Sequence, residues 1–487
     1  MSKKTQSYTN RKHRKYIPER MPGNVAVKNK GGWLPGANGR TAKIEALLRG
    51  RKEETKEIAG NMAGYKDSGV EEVNFIPKDW NTLRMKDAFN ISKEIIGDKW
   101  TEAALLSLTT NGVKSITADE QVGKRPKTFA TYQRVTKNDI VMCLFDLDAS
   151  AVFSGLSGYD GMISPAYKIL KTKEQVLPEF ANYYFQYIFE GRKYKKYAKS
   201  IRYTLSGEEF LRLLIVLPPL HEQQRIADFL DTKCSILDRT IDAVSRQIED
   251  LEKYKKALIT KTVTKGICKK GEPERAMKDS GVEWIGEVPE EWSVSKVKYN
   301  FSTFKKIPGK ESEKYERLSL TMNGVKHREK WTAEGLQPKD FMSYQLLRKG
   351  DLVFRLIDLQ NPSKSRRVAL SHDTGLISPA YTILHADNNK MLPEYAEMFF
   401  LMMSYLDVFN ALGSCGVRSS INNAELMKIS VLVPPLAEQQ QIADYLDEKC
   451  KNIDNRVKKR RQQLEWLKEY KKSLIFDYVT GKKRVEK

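Results

Sequence analysis

The segment Pro218-Pro219-Leu220-His221-Glu222-Gln223-Gln224-Arg225-Ile226-Ala227-Asp228-Phe229-Leu230-Asp231 returns later in the chain. Its second copy reads Pro434-Pro435-Leu436-Ala437-Glu438-Gln439-Gln440-Gln441-Ile442-Ala443-Asp444-Tyr445-Leu446-Asp447, so the offset from Pro218 to Pro434 is 216 residues. A second pair, Lys66-Asp67-Ser68-Gly69-Val70-Glu71 and Lys278-Asp279-Ser280-Gly281-Val282-Glu283, is 212 residues apart, from Lys66 to Lys278. Solenoid repeats recur every 20–50 residues or so, far short of this period. The repeated unit is therefore a whole domain with its connector. A chain built this way carries two similar sites at a fixed separation, which suits a long two-part target.

Weaker matches between these anchors show what was duplicated. Residues 107–114 align with 319–326, 139–146 with 351–358, 177–181 with 392–396, and Ile163-Ser164-Pro165-Ala166-Tyr167 with Ile377-Ser378-Pro379-Ala380-Tyr381. These are short apolar runs flanked by turn residues, the pattern of buried strands. The stretches between them, such as 114–138 against 326–350, have drifted apart. A common scaffold with different loops predicts one fold recognising two different things.

Each copy is followed by a helical pattern. Steps of three and four residues pick out Leu230, Leu237, Ile241, Val244, Ile248, Leu251 and Leu258, and in the second copy Leu446, Ile453, Val457, Leu464, Leu467 and Leu474. Ala227, Cys234 and Lys255 complete the first stripe; Ala443, Cys450, Arg460 and Lys471 complete the second. Such a stripe is a coiled-coil seam, and the other faces are too charged to bury. The economical partner for each helix is the other copy. Antiparallel pairing sends the chain down one helix, through the second lobe and back along the other. The predicted fold is α+β: two similar α/β lobes separated by two long helices in an antiparallel coiled coil, with a pseudo-twofold axis. The expected boundaries are lobes at 65–217 and 278–433, helices at 218–266 and 434–481, a linker at 267–277 and a tail at 482–487. On this reading a four-residue insertion near Gly266 lengthens the spacer.

Residues 1–64 stand apart, with fifteen Lys and Arg against five Asp and Glu, about +10. They have few apolar anchors, which predicts a disordered extension with a short helix across 42–57. A solvated tail is preferred to a DNA-contacting arm, and a start near Met62 is a third reading. The whole chain has a formal charge of +22, which points to a polyanionic partner. Its five cysteines and five histidines show no metal-ligand spacing, so neither a metal site nor a disulfide framework is expected. No apolar run reaches membrane-spanning length and no signal-type core is present, so a cytoplasmic protein without a membrane partner is expected.

No phosphate-binding loop, methyltransferase signature or paired metal ligands occur, so no catalytic residues are assigned. Recognition chemistry falls instead in the divergent loops. The first lobe offers Lys124, Arg125, Lys127, Tyr132 and Arg134, then Arg202, Tyr203 and Thr204. The second offers Lys326, His327 and Arg328, then Lys364, Arg366 and Arg367, then Arg418, Ser419 and Ser420. Arginine can pair with guanine edges, while Lys, Ser and Thr can hold phosphates. The bland reading is that these are ordinary solubilising loops; as clusters they point to DNA.

Residues 278–292 (KDSGVEWIGEVPEEW), the two Pro-Pro-Leu-x-Glu-Gln-Gln helix starts, and the Leu-x-x-Tyr-Lys-Lys-x-Leu-Ile segments at 251–259 and 467–475 form a distinctive combination. In these residues the chain resembles the specificity subunits of type I restriction-modification systems. The resemblance covers 65–487. It implies two target-recognition domains, each reading half of a bipartite site in double-stranded DNA. It also implies that the helices dock two methyltransferase subunits and the restriction (translocase) subunits, in a prokaryotic cytoplasm. S-adenosylmethionine, ATP and Mg would belong to those partners, with no cofactor in this chain. Two departures are the extension at 1–64 and the weaker first connector at 71–77. Other readings are a stand-alone two-lobed DNA-binding regulator and a coiled-coil scaffold.

Overall fold

The computed structural model describes residues 64–486 except 111, 118, 121–125, 149, 151, 191–192, 199–202, 268–270, 272–274, 331–339, 361–365 and 414–418. The helix expected at 42–57 lies outside the described residues. The chain divides into two units, Met1–Asp67 and Ser68–Lys487; the second contains both lobes and both long helices.

Each lobe has the same strand order. In the first, one four-stranded sheet runs Gly112–Ile116, Leu105–Thr109, Gly161–Ile163, Gln133–Val135. A second runs Phe89–Ser92, Lys168–Thr172, Ile140–Met142, Ser154–Leu156, and Leu214–Leu217 pairs with Asn81–Arg84. The second lobe repeats this with Gly324–Arg328, Arg317–Thr321, Gly375–Ile377, Gln345–Leu347, then Phe301–Ser302, Thr382–Ala386, Leu352–Phe354, Val368–Leu370, and the pair Ser293–Lys296 with Ser430–Val433. Even the single parallel step is kept, at Met162 beside Leu105 and Leu376 beside Arg317. Central strands such as Ile140–Met142 and Leu352–Phe354 are buried throughout, as uninterrupted apolar runs should be.

A buried glutamine explains one repeated segment. Gln133 Nε2 donates to the carbonyls of Ser164 and Tyr167, at 3.3 and 2.9 Å, holding the turn of Ile163-Ser164-Pro165-Ala166-Tyr167. Gln345 does the same to Ser378 and Tyr381, at 3.0 and 2.7 Å. Each serine carbonyl also accepts the N–H of the turn's tyrosine, at 3.2 Å, so the amide adds a second donor there and satisfies the tyrosine carbonyl.

The long helices are Leu220–Lys265 and Leu436–Val479, roughly 70 and 65 Å at 1.5 Å per residue. Proline occupies each N-cap, where its missing N–H does no harm. Three residues on, a carboxylate, buried at Glu222 and half-buried at Glu438, receives a tryptophan: Trp80 Nε1 donates to Glu222 at 3.1 Å, and Trp292 Nε1 to Glu438 at 2.8 Å. The next residue fastens helix to lobe. Gln223 accepts from the Leu177 N–H at 2.8 Å and donates to the carbonyls of Gln175 and Pro218. Gln439 accepts from Leu392 at 2.8 Å and donates to Lys390 and Pro434. Repetition of Glu-Gln at both helix starts is thus structural.

The helices run antiparallel. Their midsection buries Val244, Ile248, Ile453, Val457 and Leu467, with Leu237, Ile241, Leu251, Leu258 and Leu464 packed around them. Towards the ends the seam merges into the lobes. The first lobe's core takes in Ile226, Leu230 and Cys234 from one helix and Leu474, Ile475 and Val479 from the other. The second takes Ile259 and Val263 with Ile442, Leu446 and Cys450. Cys234 and Cys450 are buried free thiols, their pKa values raised by burial. Three seam expectations need correction, because polar tips cannot enter a dry core. Arg460 lies exposed, and the Lys255 and Lys471 ammonium groups leave the seam for aspartates on the facing helix.

Candidate nucleic-acid interface

One loop arrangement appears twice. In the first lobe, Leu147 N–H donates to the Tyr203 carbonyl at 3.2 Å, Leu205 N–H to Leu144 at 2.7 Å, and Cys143 N–H to Phe153 at 2.7 Å. In the second, Leu359 donates to Ser419 at 3.0 Å, Ile421 to Leu356 at 3.0 Å, and Arg355 to Arg367 at 2.8 Å. Both loops turn on an aspartate in the left-handed region, Asp146 at φ 49 and Asp358 at φ 52. Asp tolerates that conformation better than most non-glycine residues. Identical backbone bonds therefore gather three loops per lobe, while the side chains presented differ.

Several candidate residues fall in these clusters. Tyr203 is half-buried against the first core, with the Lys195 ammonium 4.0 Å above its ring. Exposed Thr204 lines a cleft of about 410 Å³ with Leu144, Phe145, Lys168 and Ser206. Sequence patterns gave no sign of Phe145, Lys168 or Ser206, whose contribution depends on tertiary placement. In the second lobe, Arg366 joins the 321–324 turn: its N–H donates to the Thr321 carbonyl at 3.2 Å and its Nε to Met322 at 3.1 Å. Its guanidinium also faces Glu397 at 3.5 Å. Ser420 is half-buried beside this cluster. Lys124, Arg125, Arg202, Lys364 and Arg418 lie outside the described residues.

Other candidates are otherwise engaged. Tyr132 is buried, packed edge-on to Phe129 at 4.9 Å, and presents no face for a base. Arg367 turns inward and donates to the carbonyls of Ile357, Asp358 and Leu359 at 2.8–2.9 Å, closing the left-handed turn. Its pKa is lowered by burial and by Arg355. Ser419 is buried, with its N–H on Gln360 at 2.9 Å. His327 lies between Glu316 and Asp373, 3.1 Å from the latter, and those carboxylates repel a phosphate. Lys326 and Arg328 flank it on an exposed edge strand, whereas Arg134, paired with Glu94 at 2.9 Å, lies on the opposite edge of the first lobe's sheet. Lys127 is exposed near that edge. On the equivalent edge strand the first lobe keeps Lys114 in the place of Lys326 but has Ser115 and Ile116 in the places of His327 and Arg328.

Twin α+β lobes, matched loop clusters and an antiparallel helix pair define a duplicated recognition protein, with two unlike reading surfaces on one frame. The chain belongs to the type I restriction modification DNA specificity domain family, whose model matches residues 77–253 and 380–465. It is 26% identical over 455 residues to the type I restriction enzyme MjaVIII specificity subunit of Methanocaldococcus jannaschii, covering 87% of this chain and 98% of that one. It is 25% identical over 449 residues to the putative MjaX specificity subunit of the same organism, with the same shares. A solved chain from work on complex assembly and conformational transition of the type I R-M system shares the fold. Its TM-score is 0.56 at 13% identity, over 83% of this chain and 98% of that chain.

Proposed function

We propose that this chain is the DNA specificity subunit of a type I restriction-modification complex, each lobe reading one half of a bipartite duplex site. The observation that carries the reading is the twin loop cluster. One backbone frame, closed by Leu147–Tyr203 in one lobe and Leu359–Ser419 in the other, holds different side chains. Among the residues singled out from sequence, Thr204 in the first lobe and Lys326, Arg328, Arg366 and Ser420 in the second are placed to meet DNA. Lys127 is a phosphate contact of the first lobe, and Arg134 becomes one only by leaving Glu94. Arg366 reads base or backbone from a position fixed by the 321–324 turn.

The chain itself is non-catalytic. Two methyltransferase subunits dock on the helix pair, and restriction (translocase) subunits join them, in the prokaryotic cytoplasm. S-adenosylmethionine, ATP and Mg are held by those subunits. The test is to exchange the second lobe's loops 355–367 and 419–420 for those of another specificity subunit, then map methylated bases in cells. One half of the methylated motif should change while the other stays intact. A change in both halves, or in neither with methylation retained, would overturn the reading.

A further inference from the structure

Internal duplication separates residues kept for the frame from residues used once. Along the two helices the 216-residue offset aligns nearly every seam and cap position, with Ile241 on Val457, Leu251 on Leu467 and Lys255 on Lys471. The largest departure lies at the middle of the pair. Arg456, Lys458, Lys459, Arg460 and Arg461 stand where the first helix has Thr240, Asp242, Ala243, Val244 and Ser245. Five cations within six residues face a copy that has none. All five are exposed.

Acidic charge on the facing helix, at Glu249, Asp250 and Glu252, offsets them only in part. Arg461 donates to Glu252 on the facing helix at 2.6 Å, and Arg460 to the neutral Gln463 at 2.7 Å. Asp250 lines a groove of about 440 Å³ with Arg456, Arg460 and Tyr254. Asp454 is engaged by Lys255. Among the described residues, no ion pair involves Arg456, Lys458 or Lys459. Arg456 and Arg460 stand about one turn apart, where like charges repel, and the other three cations flank them, so the cluster is a standing cost unless an anion meets it.

We propose that this cluster is a phosphate-binding surface for the unread DNA between the two half-sites. This rests on the bipartite reading above. A partner that binds the pseudo-twofold frame twice would meet the same residues twice, but the cluster occurs once. Duplex DNA bound to both lobes passes the helix pair once, and it is a polyanion. The six residues span about 8 Å, the axial length of two to three base pairs. Contacts of this kind carry no sequence information but add affinity and fix position along the duplex.

The test uses the full chain in complex with its co-purifying subunits and a duplex carrying the mapped bipartite site. The triple variant R456Q/K458Q/K459Q is compared with wild type and with K458R/K459R. The log–log salt slope of binding should fall in magnitude by about two to three for the neutral variant and stay unchanged for the charge-preserving one. Replacing the spacer phosphates by methylphosphonates should weaken wild-type binding and erase the difference between wild type and the neutral variant. An unchanged salt slope overturns the inference, as does a loss that persists on the methylphosphonate duplex. Loss of subunit co-purification with an unaltered slope also overturns it, assigning the cluster to a protein contact. Failure of the wild-type complex to prefer its mapped site would strike at the bipartite reading itself.

Discussion

Lys255 donates to both carboxylate oxygens of Asp454, at 2.8 and 2.7 Å, and Lys471 does the same to Asp238 at 2.6 and 2.7 Å. The two bridges are related by the 216-residue offset at both ends. They match the antiparallel register of the apolar seam and disfavour a heptad slip, which would bring each lysine to a different neighbour. The aspartates are more than half exposed, so each bridge contributes under about 1 kcal/mol to stability. Lys255→Glu should therefore destabilise through repulsion, and Lys255→Glu with Asp454→Lys should recover most of the loss. Denaturant midpoints of the single and double variants check this; no recovery would mean the pair does not favour this register.

Arg484 and Arg275 fill equivalent places at opposite ends of the helix pair. Arg484 follows the second helix and donates to Glu222, at the start of the first, at 2.9 and 2.7 Å. Arg275 follows the first helix and donates to Glu438, at the start of the second, at 2.9 Å through Nη2. Both guanidinium pKa values are pushed up by these carboxylates. Arg484→Ala should cost about 1–3 kcal/mol, because it strips a charged donor from a buried carboxylate. The loss should appear as faster amide exchange in Asn81–Arg84 and Leu214–Leu217, with Ser293–Lys296 and Ser430–Val433 unaffected. Arg275→Ala should give the reverse pattern.

Duplicated frame, strand runs and helix seam were legible in the sequence, because each rests on a periodicity or a copied segment. Roles resting on a side chain's distant partner were not. Gln133 and Gln345 are isolated polar letters in apolar runs, and only the fold brings the Ser164 and Ser378 turns to them. Arg367 and Tyr132 looked like recognition residues, since an Arg or Tyr in a basic loop is common to binding and to scaffold. Closing a left-handed turn and filling a core claimed them. Arg460 looked like a seam residue because the three-four stepping counts positions and ignores whether the tip can be desolvated.

Glu397 gives the second lobe a pH dependence. Its carboxyl is nearly buried, and burial raises its pKa above 4.5, with the Leu370 N–H and the charges of Arg366 and His372 opposing and Glu394 adding to the rise. A carboxyl whose folded pKa is raised stabilises the fold fully below its unfolded pKa. That contribution is lost as pH rises through the folded value. The melting temperature of the second lobe should therefore fall from pH 4.5 towards neutrality by more in wild type than in Glu397→Gln. Equal slopes for both proteins would remove Glu397 as the cause.

The separation of the half-sites tests the rod most directly. Sequence alone places a lengthening insertion near Gly266, but the packing there argues against that position as a spacer. Ile259 and Val263 are already part of the second lobe's core, and Gly266, at φ 76, closes the helix against Trp292 and Glu438. Four residues added there would loop out or disturb the cap without moving the lobes apart. Only the midsection between the lobe-bound ends can lengthen the rod, and the facing helix must lengthen with it to keep Lys255 on Asp454 and Lys471 on Asp238. Four residues inserted after Arg246 and four after Gln462 add about 6 Å while keeping the seam near phase. At about 3.4 Å per base pair, the gap in the methylated motif should grow by one to two base pairs with both half-sites unchanged. The Gly266 insertion should leave the gap as it was. A longer gap from the Gly266 insertion alone would show that the connector, and not the helix pair, measures the DNA.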